Sequence, residues 1–178
     1  MTFELLMWAM ARVAGLAGLA TLSTSLLTGL AIRMGVLDWL GSNRTMRSLH
    51  EYTTILWVPL GALHVLALLL DQTARIGPLD VLVPFLVPYG AVAIGLGTVS
   101  LQVLVLVTVT ALLRRRMESQ AWQWLHRLSY VAYALIFLHS LLAGSDVGDP
   151  VVAGLTWATA GLLALLTTAR VVWGRLPA

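Results

Sequence analysis

The stretch RSLHEYTTILWVPLGALHVLALLLD, residues 47–71, holds His50 and His64, fourteen positions apart in an otherwise apolar run. A second stretch, WQWLHRLSYVAYALIFLHSLLAGSD, residues 122–146, holds the other two histidines, His126 and His139, thirteen apart. Each run is long enough to cross a bilayer as a helix, which takes about 20 apolar residues. At about 1.5 Å per residue, the two imidazoles of each run stand roughly 20 Å apart along the axis. The hydrocarbon core is about 30 Å thick, so each helix would carry one histidine in each leaflet. Two such helices side by side offer a pair of imidazoles at each of two depths.

The rest of the composition agrees with a membrane setting. Of 178 residues, 59% are hydrophobic and 11% charged, and the mean hydropathy is +0.88. A soluble domain carries about twice that share of charge, so most of this surface is expected to face lipid and the chain to form one integral membrane domain over residues 1–178. All eleven basic residues are arginine, which reads as a coding bias. A net charge of +3, gathered in short loops, is ordinary membrane topology and no sign of a nucleic-acid partner. With no cysteine, disulfides, iron–sulfur clusters and C-x-x-C-H haem attachment are excluded. Met1 to Glu4 carries no basic region of the kind that opens a secretory signal, and the first apolar stretch is expected to stay as a mature helix.

Five spans follow from the apolar runs: about 5–32, 49–70, 91–113, 122–143 and 151–172. Between the second and third, IGPLDVLVPFLVPYG (residues 76–90) is broken by Gly77, Pro78, Pro84 and Pro88, and reads as a short interfacial helix. The expected fold is an all-α bundle of five transmembrane helices. Arginine placement sets the orientation. Arg33, Arg44, Arg47, Arg114, Arg115, Arg116, Arg170 and Arg175 fall on one side. Asp71, Asp80, Asp146 and Asp149 fall on the other, with Arg75 the one basic loop residue there. The arginine side is then cytoplasmic, with the N-terminus out and the C-terminus in. The second and fourth spans run in the same direction, so His50 and His126 share the inner leaflet and His64 and His139 the outer.

Imidazole is costly in hydrocarbon unless its polar atoms are engaged, which makes intramembrane histidines functional candidates. The plainer reading is a set of helix–helix hydrogen bonds, but two matched pairs at common depths fit it poorly. A bare metal site fits poorly too, because ligands 20 Å apart cannot share an ion and each depth has only two histidines. Planar cofactors sandwiched one above the other, as in a transmembrane b cytochrome with two non-covalent, bis-histidine haems, account for both pairs. On an ideal helix fourteen residues return His64 to within about 40° of His50, whereas thirteen separate His126 from His139 by about 140°. The second pair therefore needs a tilted or distorted helix, or an irregular first turn at His126.

Several other residues are candidates on position. Trp57 lies midway between His50 and His64 and would project between the two cofactors; a core or lipid-facing tryptophan is the plainer reading. Arg12, Arg47 and Arg127 are candidate partners of haem propionates, against simple snorkelling of their stems to the interface. Ala14, Gly15, Gly18, Gly95 and Gly97 permit close approach of a porphyrin or of another helix. Tyr130, Tyr133 and Phe137 would line a cofactor cavity or an ordinary core. Pro59 should kink the second span.

The two histidine stretches resemble the haem helices of the ferric reductase-like transmembrane domain, which NADPH oxidases, ferric reductases and many short bacterial membrane proteins share. GPLDVLVPF and the RRR before the fourth span are similar to its short bacterial branch. The resemblance implies His50 with His126 on an inner haem b, His64 with His139 on an outer one, and a thirteen-residue step that is habitual in the family. It also implies a bacterial inner-membrane location. Family enzymes carry a flavin and nicotinamide domain; no Gly-rich nucleotide loop occurs in this sequence, so flavin is expected on a partner.

The expectation is an electron conduit, an oxidoreductase component with no catalytic residue of its own. It would pass electrons from a cytoplasmic flavoprotein or quinol to an external acceptor such as a ferric chelate, a flavin protein or another redox subunit. The alternatives are a cytochrome b membrane anchor exchanging electrons with quinone inside a larger complex, and a haem-free scaffold or transporter.

Overall fold

Long apolar runs without charge leave the backbone only one way to satisfy its own polar groups in lipid, and every span takes it as an α-helix. The computed structural model describes residues 2–35 and 41–173. Its helices are α1 (Phe3–Met34), α2 (Asn43–Leu70), α3 (Pro78–Leu82), α4 (Ala91–Leu112), α5 (Ser119–Ala143) and α6 (Pro150–Trp173). All but α3 are long and apolar enough to cross a membrane. They match the five expected spans, mostly with an added turn or less at either end; α2 begins two turns early. Met1 and Arg175, both used in the sequence reading, lie outside the described residues. Large side chains such as Ile55, Leu112 and Val171 are more than two-thirds exposed, as lipid-facing positions require.

Several hydroxyls of α1 are spent locally. Thr21, Ser23, Thr24 and Thr28 each donate to the carbonyl four residues back, at 2.7–2.9 Å, so α1 carries a polar run without exposing an unpaired donor. The ends are fixed by carboxylates. Asp71 accepts the backbone N–H of Thr73 at 2.8 Å after α2, and Asp149 accepts those of Val151 and Val152 at 2.9 and 3.1 Å at the start of α6, where Pro150 follows it. This is the N-cap pattern with proline at the first helical position.

The chain divides into two compact units, Met1–Gly15 with Gly61–Ser145, and Leu16–Leu60 with Asp146–Ala178. In the first, α4 and α5 form an antiparallel hairpin through the 3-10 turn Arg114–Arg116. Between them Ser100, fully buried, donates its hydroxyl to the carbonyl of the equally buried Ala132 at 3.0 Å. Small residues let the two backbones approach there. The α3 segment runs along the flank of α4: Thr98 donates to the Asp80 carbonyl at 3.2 Å and Gln102 to that of Leu82 at 2.7 Å. Those partners lie seven and eleven residues into α4, roughly 10 and 17 Å along its axis. Phe85, in the left-handed region at φ 66°, lays its ring against Gly95 where a Cβ would collide.

In the second unit, the first part of α2 packs on the later part of α1. Ser25 and Thr54 share a hydroxyl–hydroxyl bond of 2.8 Å, and Trp57 is only 6% exposed. That burial removes the lipid-facing alternative for Trp57.

The hairpin contact gives a test. Ser100→Val should overpack the contact and remove the bond to Ala132, lowering stability by about 1–3 kcal/mol. Thermal unfolding in detergent should show the loss, whereas Val105→Ala, at an exposed position on the same helix, should leave the melting temperature nearly unchanged.

Candidate functional site

His64 on α2 and His139 on α5 come together. Their ring centroids are 6.5 Å apart and the ring planes stand at 82°. Nothing in the sequence spacing required this, since the two lie 75 positions apart. Each ring is tethered from behind: His64 Nδ1 bonds to the Ala11 carbonyl on α1 and His139 Nδ1 to the Ala93 carbonyl on α4, both at 2.7 Å. A carbonyl can only accept, so Nδ1 must carry a proton in both rings, and in the neutral ring Nε2 then holds the lone pair. Two lone-pair nitrogens are thus presented by two rings fixed in place by backbone.

The separation suits a shared metal. A metal–imidazole bond is about 2 Å, and with about 1 Å from nitrogen to ring centre on each side, two rings across one metal stand about 6 Å apart. Among the described residues no group of three or more His, Cys, Asp or Glu gathers to hold an ion. Two imidazoles so placed could serve as the protein donors to a haem iron that has four porphyrin nitrogens.

His50, in the other unit, is tethered in the same manner. Its Nδ1 bonds to the Ser25 carbonyl at 2.8 Å, with the Ser25 hydroxyl at 3.4 Å. His126 lies seven residues into α5, which is continuous from Ser119; this removes an irregular first turn as the answer to its thirteen-residue step. The indole of Trp122, one turn earlier, stacks on its ring at 5.2 Å and 19°. His50 and His126 belong to different units.

The arginines are placed as follows. The Arg12 guanidinium lies over the Trp8 ring at 4.0 Å and that of Arg127 over Trp124 at 4.6 Å, both cation–π distances. Arg47 is exposed near the start of α2. Tyr133 is buried, while Tyr130 and Phe137 are half-buried. On the loop before α4, burial, then the charges of Asp80 and Asp71, hold the Tyr89 phenol above its usual range against the pull of Arg75.

Of the glycines singled out by sequence, Gly15 abuts the His64 ring and Gly97 the His139 ring, Gly95 takes Phe85, and Gly18 has nothing near it. Two features escaped the sequence reading, Gly29 against His50 and the Trp122 stack. Gly29 carried a signal nonetheless: it follows Gly15 by fourteen residues on α1, as His50 precedes His64 by fourteen on α2.

The family model for the ferric reductase like transmembrane component matches residues 14–137. The chain belongs to that family. The match spans more than two-thirds of the sequence and includes His50, His64 and His126, ending two residues before His139. It makes the chain a membrane redox component of a family that typically binds haem, with the lipid bilayer as its surroundings. Comparison with curated proteins and with solved structures gave no match.

The tethering predicts a spectroscopic outcome. In protein prepared without haem, nitrogen NMR of labelled histidine should show the neutral Nδ1–H tautomer for His50, His64 and His139. The opposite tautomer at His64 or His139 would mean that the ring is turned away from its carbonyl.

Proposed function

We propose that this chain is a single-domain transmembrane dihaem b cytochrome of a bacterial inner membrane. It would carry electrons between a cytoplasmic flavoprotein or quinol and an external acceptor such as a ferric chelate or a redox subunit. The observation that carries the reading is the His64–His139 pair, two imidazoles 6.5 Å apart with both Nδ1 atoms engaged by backbone carbonyls. A helix–helix hydrogen-bonding role would be complete with the Nδ1 bonds alone. It gives no reason for two rings on separate helices to stand one metal's width apart.

In this reading His64 and His139 hold one haem and His50 and His126 the other, the latter assignment resting on the family's pattern. A haem held by these histidines would supply a one-electron carrier suited to outer-sphere transfer. The residues' work is to orient and to insulate. Backbone carbonyls fix the rings, apolar walls exclude water, and the half-buried Arg12 and the exposed Arg47 and Arg127 offer positive charge for propionates, in competition with their own tryptophans for the first and last. Trp57, buried midway along α2, would fill the space between the two cofactors and shorten the gap an electron crosses. The N-terminus would lie outside and the C-terminus in the cytoplasm.

Pure protein should carry about two haem b per chain by pyridine haemochrome assay. His64→Ala or His139→Ala should remove one and leave the other; His50→Ala or His126→Ala should remove the second. A colourless preparation reconstituted with haemin to no effect would leave the scaffold alternative standing. Trp57→Ala should retain both haems and slow electron exchange between them in flash or stopped-flow reduction; unchanged kinetics at full occupancy would restrict Trp57 to packing.

A further inference from the structure

Three of the four histidines share one local device. The Ala11 carbonyl accepts from His64, and four residues on stands Gly15; the Ser25 carbonyl accepts from His50, and four on stands Gly29; the Ala93 carbonyl accepts from His139, and four on stands Gly97. In an α-helix that carbonyl already takes the N–H of the residue four ahead, here the glycine itself. A carbonyl oxygen has a second lone pair, and the imidazole takes it. To reach it the ring must lie over the glycine. A Cβ at Gly97 would stand 2.7 Å from His139 Nδ1 and 2.8 Å from Cε1; at Gly15, 3.0 and 3.1 Å from the same atoms of His64; at Gly29, 3.2 Å from Cε1 and 3.4 Å from Nδ1 of His50. Not every glycine in these helices is so placed, because a Cβ at Gly18 meets nothing within 4 Å.

We propose that Gly15, Gly29 and Gly97 are positioning residues for the axial histidines. By lacking a side chain, each lets an imidazole donate Nδ1–H to the carbonyl four residues earlier, which sets the ring's angle and leaves Nε2 as the nitrogen that would bind a metal. This rests on the haem reading above. It goes beyond that reading in assigning the tuning of each ligand to a residue on a different helix. An imidazole that donates to a carbonyl is a more basic ligand and favours ferric iron. A displaced ring loses that bond, so the affected haem should bind more weakly and be easier to reduce.

The test uses the full chain in detergent, with the second haem of the same molecule as internal standard. Gly97→Ala should weaken haem retention about 10-fold or more at the site that His139→Ala empties, in the range typical of lost outer-shell hydrogen bonds. Where haem remains, the low-spin electron paramagnetic resonance signal of that site should change and its midpoint potential rise. The other haem should be unaltered. Gly15→Ala should do the same more mildly, Gly29→Ala should act on the other haem, and Gly18→Ala should match the parent protein. If Gly97→Ala loses both haems, Gly15→Ala decides, since its Cβ demands a smaller shift. Unaltered retention, resonance and potential in both variants would overturn the proposal while leaving the haem reading intact. A parent protein that binds no haem would overturn both.

Discussion

A histidine ring that must donate Nδ1–H to a carbonyl on another helix brings that helix within van der Waals reach, and much else follows. The acceptor is a main-chain oxygen, so the bond depends on helix position more than on side-chain identity. It settles one polar atom of an imidazole in an apolar setting, worth about 1 kcal/mol net in favourable cases, and avoids the larger cost of leaving it unmet. It also demands room. At Gly15, Gly29 and Gly97 the room comes from a missing Cβ, and helix packing is close because the ring and the neighbouring backbone occupy what would otherwise be side-chain space.

The helices were legible in the sequence because lipid removes the choices that make soluble folds hard to read. An uncharged run of about 20 residues has one viable backbone, and the ends of α4, α5 and α6 fall within three residues of where hydropathy and glycine, proline and charge place them. The early start of α2 at Asn43 was not legible. NRTMRS has no apolar period, and it is helical as the polar extension of a span, with Met46 its one buried residue. The α3 stretch was read as a break with a short helix. That its carbonyls are taken by Thr98 and Gln102 was beyond reach, since a glutamine within an apolar run names no partner.

The site divides along the same line. That the four histidines were candidates followed from their number and spacing. That His64 meets His139 at 6.5 Å depends on how α2 and α5 are rotated, which periodicity does not fix. The arginines show the limit of reasoning from charge: Arg12 and Arg127 each have a tryptophan of their own helix three or four positions earlier, a local partner that a search for distant propionates passes over. Trp122 follows the same logic, four residues before His126 and so on the same helical face.

Register arithmetic carries the comparison of the two helix pairs one step further. From Gly15 to Gly29 on α1 is fourteen residues, and from His64 back to His50 on α2 is fourteen, so equal steps along opposed helices bring a glycine to each histidine. On α4 and α5 the step from His139 back to His126 is thirteen, and thirteen on from Gly97 is Thr110. A β-branched residue occupies the glycine's place there, buried, with its hydroxyl donating at 2.8 Å to the Leu106 carbonyl, the counterpart of Ala93. The thirteen-residue step that strains an ideal helical face thus coincides with the one position where the glycine device is not repeated. At that position the ring is faced by an indole of its own helix. Two histidine environments result: His50, His64 and His139 each lie on a glycine of another helix, whereas the ring of His126 is stacked by the Trp122 indole of its own helix.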